Sequence, residues 1–247
     1  MAEKPAKSSD GADGPSGKSK RRGPVLWFLR RLVRIAMLLL LVPVLILPLL
    51  RYVNPPLTSV MLLKRLGGAS IVRQWADLED ISPNLVRAVL VSEDARFCAH
   101  HGIDLKEVEA VLEDLGDGTS PRGASTITMQ MVKNLFLWPD RSFIRKGLEV
   151  PLALYAELVL PKDRIMEIYL NIVEWDRGIY GAEAAAQHYF NLPASRISPG
   201  QGAALAVTLP APEARDAARP GQQMRRLAAI VARRADQSGA YGACIFG

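Results

Sequence analysis

Apolar residues recur at helical spacing through most of the chain beyond residue 80. Residues 82–94, SPNLVRAVLVSED, open with a Ser–Pro helix start and continue with apolar side chains on one helical face. Residues 161–173, PKDRIMEIYLNIV, show the same i, i+3, i+4, i+7 pattern. Three later segments with Gly or Pro punctuation are also predicted helices: 181–190, 199–210 and 221–236. Alternating strand patterns are scarce, so the sequence predicts one all-α domain over residues 55–240.

The N-terminal segment has a different pattern. Residues 1–24 are rich in Ser, Gly, Lys and Asp and are predicted to be a disordered, basic cytoplasmic tail. Every residue from Ile35 to Leu50 is apolar or proline, but this run is short for a membrane-spanning helix, which needs about 20 residues. Extending it to 25–51 gives sufficient length, because its arginines can reach back to the lipid headgroups. We therefore predict a transmembrane anchor over 25–51, with the N-terminus cytoplasmic because the basic residues precede the apolar run.

A cleaved signal peptide is the alternative interpretation of this apolar segment. The residues that follow it, RYVNPPLTSV, contain no clear small-x-small cleavage site, and the apolar run is longer than a usual signal core. The uncleaved anchor is therefore the favoured interpretation.

The basic charge is confined to the N-terminal segment. Residues 1–34 carry nine Lys or Arg and three Asp or Glu, which accounts for the whole formal net charge of +6. The remaining chain is balanced, whereas a nucleic-acid-binding domain normally has a basic face of its own. We therefore expect no nucleic-acid partner.

The two cysteines, Cys98 and Cys244, lie far apart in the sequence and match no metal-binding spacing. A disulfide between them would be feasible in an oxidising compartment. Two free thiols are nevertheless the preferred interpretation.

Three stretches combine charged residues with small or polar ones: 92–104 (SEDARFCAHHGID), 123–137 (GASTITMQMVKNLFL) and 141–149 (RSFIRKGLE). Lysine and arginine are the residues that stabilise phosphoryl oxygens, and four of them could neutralise a diphosphate. These four are Lys133, Arg141, Arg145 and Lys146. On their own they would more often form a solvated helix face. Carboxylates beside such a cluster suit glycosyl transfer, and Glu93 and Glu149 are the candidates.

Other kinds of site are less well supported. His100, His101 and Asp104 could bind a metal, but no distant pair of ligands completes the set, so we expect no metal site there. Ser125 lacks the pattern of a nucleophile elbow, which argues against a serine triad. No S-x-x-K sequence occurs, so a penicillin-type serine acyltransferase is not supported.

These three stretches, followed by a fourth at residues 162–171, resemble in their order the motifs of glycosyltransferase family 51, the peptidoglycan glycosyltransferases. The motif E-D-x-x-F-x-x-H-x-G-x-D is matched by Glu93, Asp94, Phe97, His100, Gly102 and Asp104. The motif G-x-S-T-I-x-Q-Q-x-x-K-N is matched by Gly123, Ser125, Thr126, Ile127, Gln130, Lys133 and Asn134. R-K-x-x-E is matched by Arg145, Lys146 and Glu149. The fourth motif, K-x-x-I-x-E-x-Y-L-N, is matched by Lys162, Ile165, Glu167, Tyr169, Leu170 and Asn171.

The resemblance covers residues 80–215 and implies a lysozyme-like α-helical domain with a small membrane-associated jaw subdomain. It implies that the enzyme polymerises lipid II by transferring the growing chain, still linked to undecaprenyl diphosphate, to the 4-hydroxyl of an acceptor lipid II. Without an S-x-x-K sequence, the chain resembles the monofunctional form that lacks a transpeptidase domain. A lysozyme-like lytic enzyme acting on finished glycan strands is the alternative, although it would have no diphosphate to neutralise.

The resemblance also assigns roles. Glu93 would be the general base and Glu149 would assist at the leaving diphosphate. The diphosphates would bind to Lys133, Arg141, Arg145 and Lys146. Site-shaping residues would be Ser125, Thr126, Gln130 and Asn134. Residues that hold Glu93 in place would be Asp94, Phe97, His100 and Asp104.

The resemblance further implies a location, partners and cofactors. The enzyme would function in cell-wall biogenesis at the inner membrane, with a periplasmic catalytic domain and contacts with cell-wall synthesis or division proteins. No cofactor is required, although Mg²⁺ or Mn²⁺ could assist at the diphosphate. Three residues depart from the pattern: Met129 replaces a glutamine, Cys98 is unexpected, and Pro151 is expected to bend the helix carrying Glu149.

Overall fold

The computed structural model describes Met1 and residues 24–116, 123, 125–140, 142–237 and 242–246. These residues form mainly α-helices, as predicted. Their bounds are α1 Pro24–Leu49, α2 Ser59–Leu66, α3 Pro83–Glu93, α4 Leu105–Gly116, α5 Ile127–Phe136, α6 Phe143–Val159, α7 Lys162–Ile172, α8 Ala182–Phe190, α9 Pro199–Thr208, α10 Gln222–Asp236 and α11 Ala243–Phe246. The five helices predicted from apolar spacing are confirmed as α3, α7, α8, α9 and α10.

The chain divides into two compact units, residues 1–41 and 42–247. Helix α1, Pro24–Leu49, overlaps most of the predicted anchor of residues 25–51 and contains two prolines. In the part of the chain that the structure describes, no helix is long and apolar enough to cross a membrane. The anchor therefore stays a prediction. Most of the predicted tail lies outside the described residues.

Helix α3 shows how local sequence starts a helix and how packing holds it. The Ser82 side chain accepts a hydrogen bond from the Asn84 N–H, and Pro83 occupies the first helical position. The helix packs against α9 and α10 and buries Leu85 and Val89 completely. It ends at the first carboxylate of the candidate site, so this packed helix carries that group.

Helix α5 lies against both α6 and α7, which brings the second, third and fourth sequence blocks together. Thr126 caps α5 by accepting a hydrogen bond from the Met129 N–H, and Ser142 caps α6 in the same way through the Arg145 N–H. Helix α6 continues through Pro151 to Val159. This proline lacks the N–H that would bond to the carbonyl one turn earlier.

A small sheet departs from the all-α prediction. Its strands are β1 (Val72–Arg73), β2 (Glu174–Asp176) and β3 (Ile179–Tyr180), with β3 in the middle, parallel to β1 and antiparallel to β2. Gly178 turns the chain between β2 and β3 with a φ of 76°. A Cβ there would lie 2.2 Å from the Ser70 carbonyl oxygen, so the turn requires glycine.

The prediction of two free thiols is wrong. Cys98 and Cys244 form a disulfide, with their Cα atoms 5.6 Å apart. The two residues are 146 positions apart in the sequence, so only the fold brings them together. In the chain-entropy account, closing a ring of this length stabilises the folded state by about 5 kcal/mol.

Candidate active site

A cleft of about 450 Å³ lies at the carboxyl end of α3. The residues that line it come mainly from the first two sequence blocks. They include Glu93, Asp94, Arg96, Asp104, Gly123, Ser125, Thr126 and Gln130, together with Arg234 of α10. The structure therefore brings together residues that are more than thirty positions apart in the sequence.

Glu93 is held in this cleft by neutral hydrogen-bond donors. Burial raises the pKa of its carboxyl above the ordinary value, and the nearby charge of Asp94 raises it further. Hydrogen bonds from Gln130 and Ser92 and the positive charge of Lys133 oppose the rise in the pKa. A carboxylate with a raised pKa is a stronger base than an ordinary glutamate, which suits proton abstraction near neutral pH.

Gln130 fixes the orientation of this carboxylate. Its Nε2 donates to Glu93 Oε2 at 3.0 Å, while its Oε1 accepts a hydrogen bond from the Tyr169 hydroxyl at 3.1 Å. Tyr169 is completely buried, and burial raises the pKa of its hydroxyl well above the ordinary value, so the hydroxyl remains a donor. Sequence reasoning matched Tyr169 only to the fourth motif and gave it no role in the site.

Replacing Gln130 by leucine is expected to shift the acidic limb of the pH profile of kcat/KM to higher pH. The variant loses a hydrogen bond that favours the ionised form of Glu93, so the pKa of the base rises and less of it is ionised. The rate at neutral pH should fall roughly tenfold, as for one lost hydrogen bond to a charged group. An unchanged acidic limb would show that Gln130 does not affect the pKa of Glu93.

Asp94 and His100 hold the segment that follows Glu93. The His100 Nε2 lies 2.9 Å from Asp94 Oδ1, and Asp94 Oδ2 accepts a hydrogen bond from the Ile127 N–H at 3.0 Å. Asp94 therefore joins the first block to the start of α5. Farther along, Asp104 pairs with the Arg96 Nε at 2.8 Å and accepts a hydrogen bond from the Lys106 N–H at the start of α4.

A second buried network lies behind this segment. The Lys162 ammonium lies 4.2 Å from the centre of the Phe97 ring and donates to the His100 carbonyl oxygen at 2.8 Å. It also pairs with Glu157 at 2.8 Å, and Glu157 accepts a hydrogen bond from the Thr128 hydroxyl. Sequence reasoning did not include Glu157, because nothing in its neighbourhood on α6 indicates a partner on α7.

Gly102 allows the first block to pack closely against α6. The Thr126 hydroxyl donates to the Gly102 carbonyl oxygen at 2.6 Å. Gly102 has a φ of 87°, and a Cβ at this position would lie 2.8 Å from the Ala153 carbonyl oxygen. Both the backbone conformation and the close approach therefore require glycine.

Replacing Gly102 by alanine is expected to lower the free energy of unfolding by about 2 kcal/mol. The alanine would strain the backbone at this positive φ, and α6 would have to shift away from the added Cβ. Urea unfolding monitored by circular dichroism measures this change. The control is Gly147→Ala in α6, where an added Cβ meets nothing within 4 Å. It should be neutral or stabilising, so an equal loss in both variants would contradict the argument.

The second carboxylate has a different environment. Glu149 is buried and pairs with the Arg145 guanidinium and with the Lys146 ammonium, the latter at 3.0 Å. Lys146 also donates to the Ser125 hydroxyl at 2.6 Å, and Ser125 lines the cleft. The Arg145 Nε donates to the Asp140 carbonyl oxygen at 2.6 Å. Glu149 therefore orients two cations beside the cleft.

Lys133 is the third member of this cation cluster, which we define as Lys133, Arg145 and Lys146. Burial lowers the pKa of its ammonium, the negative charges of Glu149 and Glu93 raise it, and the other two cations lower it. Its ammonium has no hydrogen bond or ion pair with any residue that the structure describes. The charges of both carboxylates act on this ammonium, and none of its three N–H groups donates to a described residue.

Two further predicted site residues need separate mention. Arg141 lies outside the described residues, so its role stays a prediction. For Asn134, the backbone carbonyl oxygen accepts a hydrogen bond from the Ser59 hydroxyl at 3.2 Å, and no described contact joins its side chain to the cluster. The described residues contain no group of three or more His, Cys, Asp or Glu that could hold a metal ion.

Comparison with known proteins places the chain in a family. A family model described as Transglycosylase matches residues 60–236. The chain belongs to the transglycosylase family. The matched range includes every described residue of the cleft and of the cation cluster.

Individual relatives cover most of the chain. A Brucella suis protein named biosynthetic peptidoglycan transglycosylase is 52% identical over 216 residues, which are 86% of this chain and 96% of its own. A protein of that name from Agrobacterium fabrum is 52% identical over 206 residues, covering 83% and 89%. Another, from Mesorhizobium japonicum, is 49% identical over 236 residues, covering 94% and 97%. The prediction of a glycosyltransferase enzyme is confirmed.

Proposed function

We propose that this transglycosylase polymerises lipid II into the glycan strands of peptidoglycan. The donor is the growing chain linked to undecaprenyl diphosphate, and the acceptor is the 4-hydroxyl of the next lipid II. The observation that carries the proposal concerns the Lys133 ammonium. It has no hydrogen-bond or ion-pair partner among the described residues, and the charges of Glu93 and Glu149 both raise its pKa. A partly buried cation without a partner is costly in free energy unless a ligand supplies the anion, and a diphosphate does so.

In the proposed reaction Glu93 accepts the proton of the acceptor 4-hydroxyl as its oxygen attacks C1 of the donor sugar. The bond from C1 to the diphosphate oxygen breaks, and its electron pair leaves with undecaprenyl diphosphate. Lys133, Arg145 and Lys146 stabilise the charge that grows on the diphosphate. Glu149 holds Arg145 and Lys146 in place, and its negative charge offsets part of the repulsion among the three cations.

The start of α6 supports activity at a membrane surface. Phe143 and Ile144 are 99% and 75% exposed, immediately before Arg145 and Lys146 in the sequence. Exposed apolar side chains beside cations suit contact with a lipid surface. The diphosphate of a lipid-linked sugar lies at the surface of the membrane, where these cations could reach it. We propose a domain facing the periplasm at the inner membrane, with a lysozyme-like fold and a membrane-associated jaw. The tail of residues 1–24, the anchor over 25–51 and the domain limits 55–240 belong to this proposal.

The relatives are named for the biosynthesis of peptidoglycan, which favours the transferase over the lytic alternative. The cation cluster favours it as well, because hydrolysis of neutral glycosidic bonds has no diphosphate to stabilise. The proposal covers glycosyl transfer alone, since no S-x-x-K sequence occurs in this chain. Mg²⁺ or Mn²⁺ assistance at the diphosphate and recruitment by division proteins are further parts of the proposal.

A polymerisation assay tests the function. The full chain is purified in detergent and incubated with lipid II, with and without moenomycin, a donor-site inhibitor of the family. Gel separation of labelled products should show glycan strands that moenomycin abolishes. Release of soluble fragments from mature cell-wall sacculi, without strand formation from lipid II, would instead support the lytic alternative.

A further inference from the structure

The C-terminal helix α11 lies against the part of the fold that carries Glu93. The Cys244 sulfur is bonded to Cys98, which sits in a 3₁₀ helix, Phe97–Ala99, five residues after Glu93. The Cys244 N–H also donates to the Cys98 sulfur at 3.3 Å. We call residues 242–246, together with this disulfide, the C-terminal clasp.

The clasp also contacts α3 directly. The Arg87 guanidinium lies 5.0 Å from the centre of the Phe246 ring, and a Cβ at Gly242 would lie 3.6 Å from a methyl group of Leu90. Ile245 packs against the main core. Arg87 and Leu90 belong to the last two turns of α3, which ends at Glu93. The clasp therefore joins the end of this helix to the segment that follows it.

The segment after Glu93 is held from two sides. On the inner side, Asp94 pairs with His100, and Phe97 is completely buried. On the outer side, the disulfide attaches Cys98 to α11. Glu93 itself is held mainly by the 3.0 Å hydrogen bond from Gln130. A shift of residues 94–100 would therefore move the carboxylate relative to its donor and to the cleft.

We propose that the C-terminal clasp is a positioning device for Glu93, so that glycosyl transfer depends on the oxidised Cys98–Cys244 bond. The proposal rests on the function proposed above. Cys244 is exposed and Cys98 is partly exposed, so a small dithiol can reach the bond. The dithiol converts the disulfide to two thiols and is itself oxidised to a disulfide, with two electrons and two protons transferred.

The test compares the intact full-length enzyme with Cys98→Ser/Cys244→Ser and with enzyme treated with dithiothreitol. Both changes should lower kcat for lipid II polymerisation about tenfold to a hundredfold, as expected for a displaced catalytic group, with KM nearly unchanged. The acidic limb of the pH profile should also move, because the surroundings of Glu93 change. Dithiothreitol should have no effect on the double serine variant, which is the control for other effects of the reductant.

Loss of kcat that merely follows the fraction of unfolded protein, with an unmoved acidic limb, would show a structural role only and would overturn the proposal. Unchanged kcat after complete reduction, verified by thiol titration, would overturn it too. Hydrogen exchange of residues 93–100 gives a readout without substrate, and it should become faster on reduction. If the oxidised enzyme fails to polymerise lipid II, the proposed function fails, while faster exchange would still show that the clasp holds this segment.

Discussion

Replacing Glu93 by glutamine is expected to lower the rate of lipid II polymerisation by about a thousandfold, within the range for loss of a general base. Glutamine has nearly the same shape and can still bond to Gln130, but it cannot accept the proton of the acceptor hydroxyl. Single-turnover assays in detergent measure the rate. The matched control is Glu107→Gln, because Glu107 is an exposed carboxylate that also lines the cleft. It should retain nearly full activity.

The same substitution should not weaken the fold. The pKa of Glu93 is raised in the folded protein, chiefly by burial, so folding favours the protonated form. A carboxyl with a raised folded pKa favours the folded state below its unfolded pKa and loses that contribution as the pH rises through the folded value. Near neutral pH the ionised group therefore costs stability, which neutral glutamine avoids. Glu93→Gln should melt at the same temperature or higher, and a variant that polymerises normally would refute the assignment of the base.

Sequence reasoning succeeded where the deciding signals are local. The Ser82–Pro83 start and the apolar spacing of α3 lie within a dozen residues of each other, and both concern one element. The small sheet was missed because its strands have two or three residues, too few to show alternation. The disulfide was missed because its cysteines are 146 positions apart and no spacing rule connects them.

For the candidate site, the sequence suggested the two carboxylates, Glu93 and Glu149, but could not tell their environments apart. Glu149 is one helical turn from Arg145, so that ion pair could have been read from spacing. The Gln130 amide that donates to Glu93 comes from α5, and the Tyr169 hydroxyl that orients this amide comes from α7. Only the packing of α5 against α7 brings these groups together. The environment of Glu93, a carboxylate bonded to neutral donors, therefore depends on tertiary packing and could not be read from the sequence.

Replacing Lys133 by methionine is expected to lower the polymerisation rate by about a hundredfold, as for the loss of one preorganised group that stabilises transition-state charge. Methionine keeps most of the length and volume of lysine but cannot bind a diphosphate. The loss of a positive charge near Glu93 should also raise the pKa of that carboxyl and move the acidic limb of the pH profile upward.

The stability of this variant separates a functional role for Lys133 from a structural one. Burial lowers the pKa of the Lys133 ammonium, which has no described hydrogen-bond or ion-pair partner, so removing its charge should leave the free energy of unfolding unchanged or increase it. Urea unfolding measures this quantity, with Lys106→Met on the exposed face of α4 as the control for a surface lysine. If Lys133 instead has only a structural role, the variant should be less stable, and its folded fraction should polymerise lipid II at the normal rate. If Lys133 binds the diphosphate of the substrate, the variant should lose activity while remaining as stable as the original protein or becoming more stable.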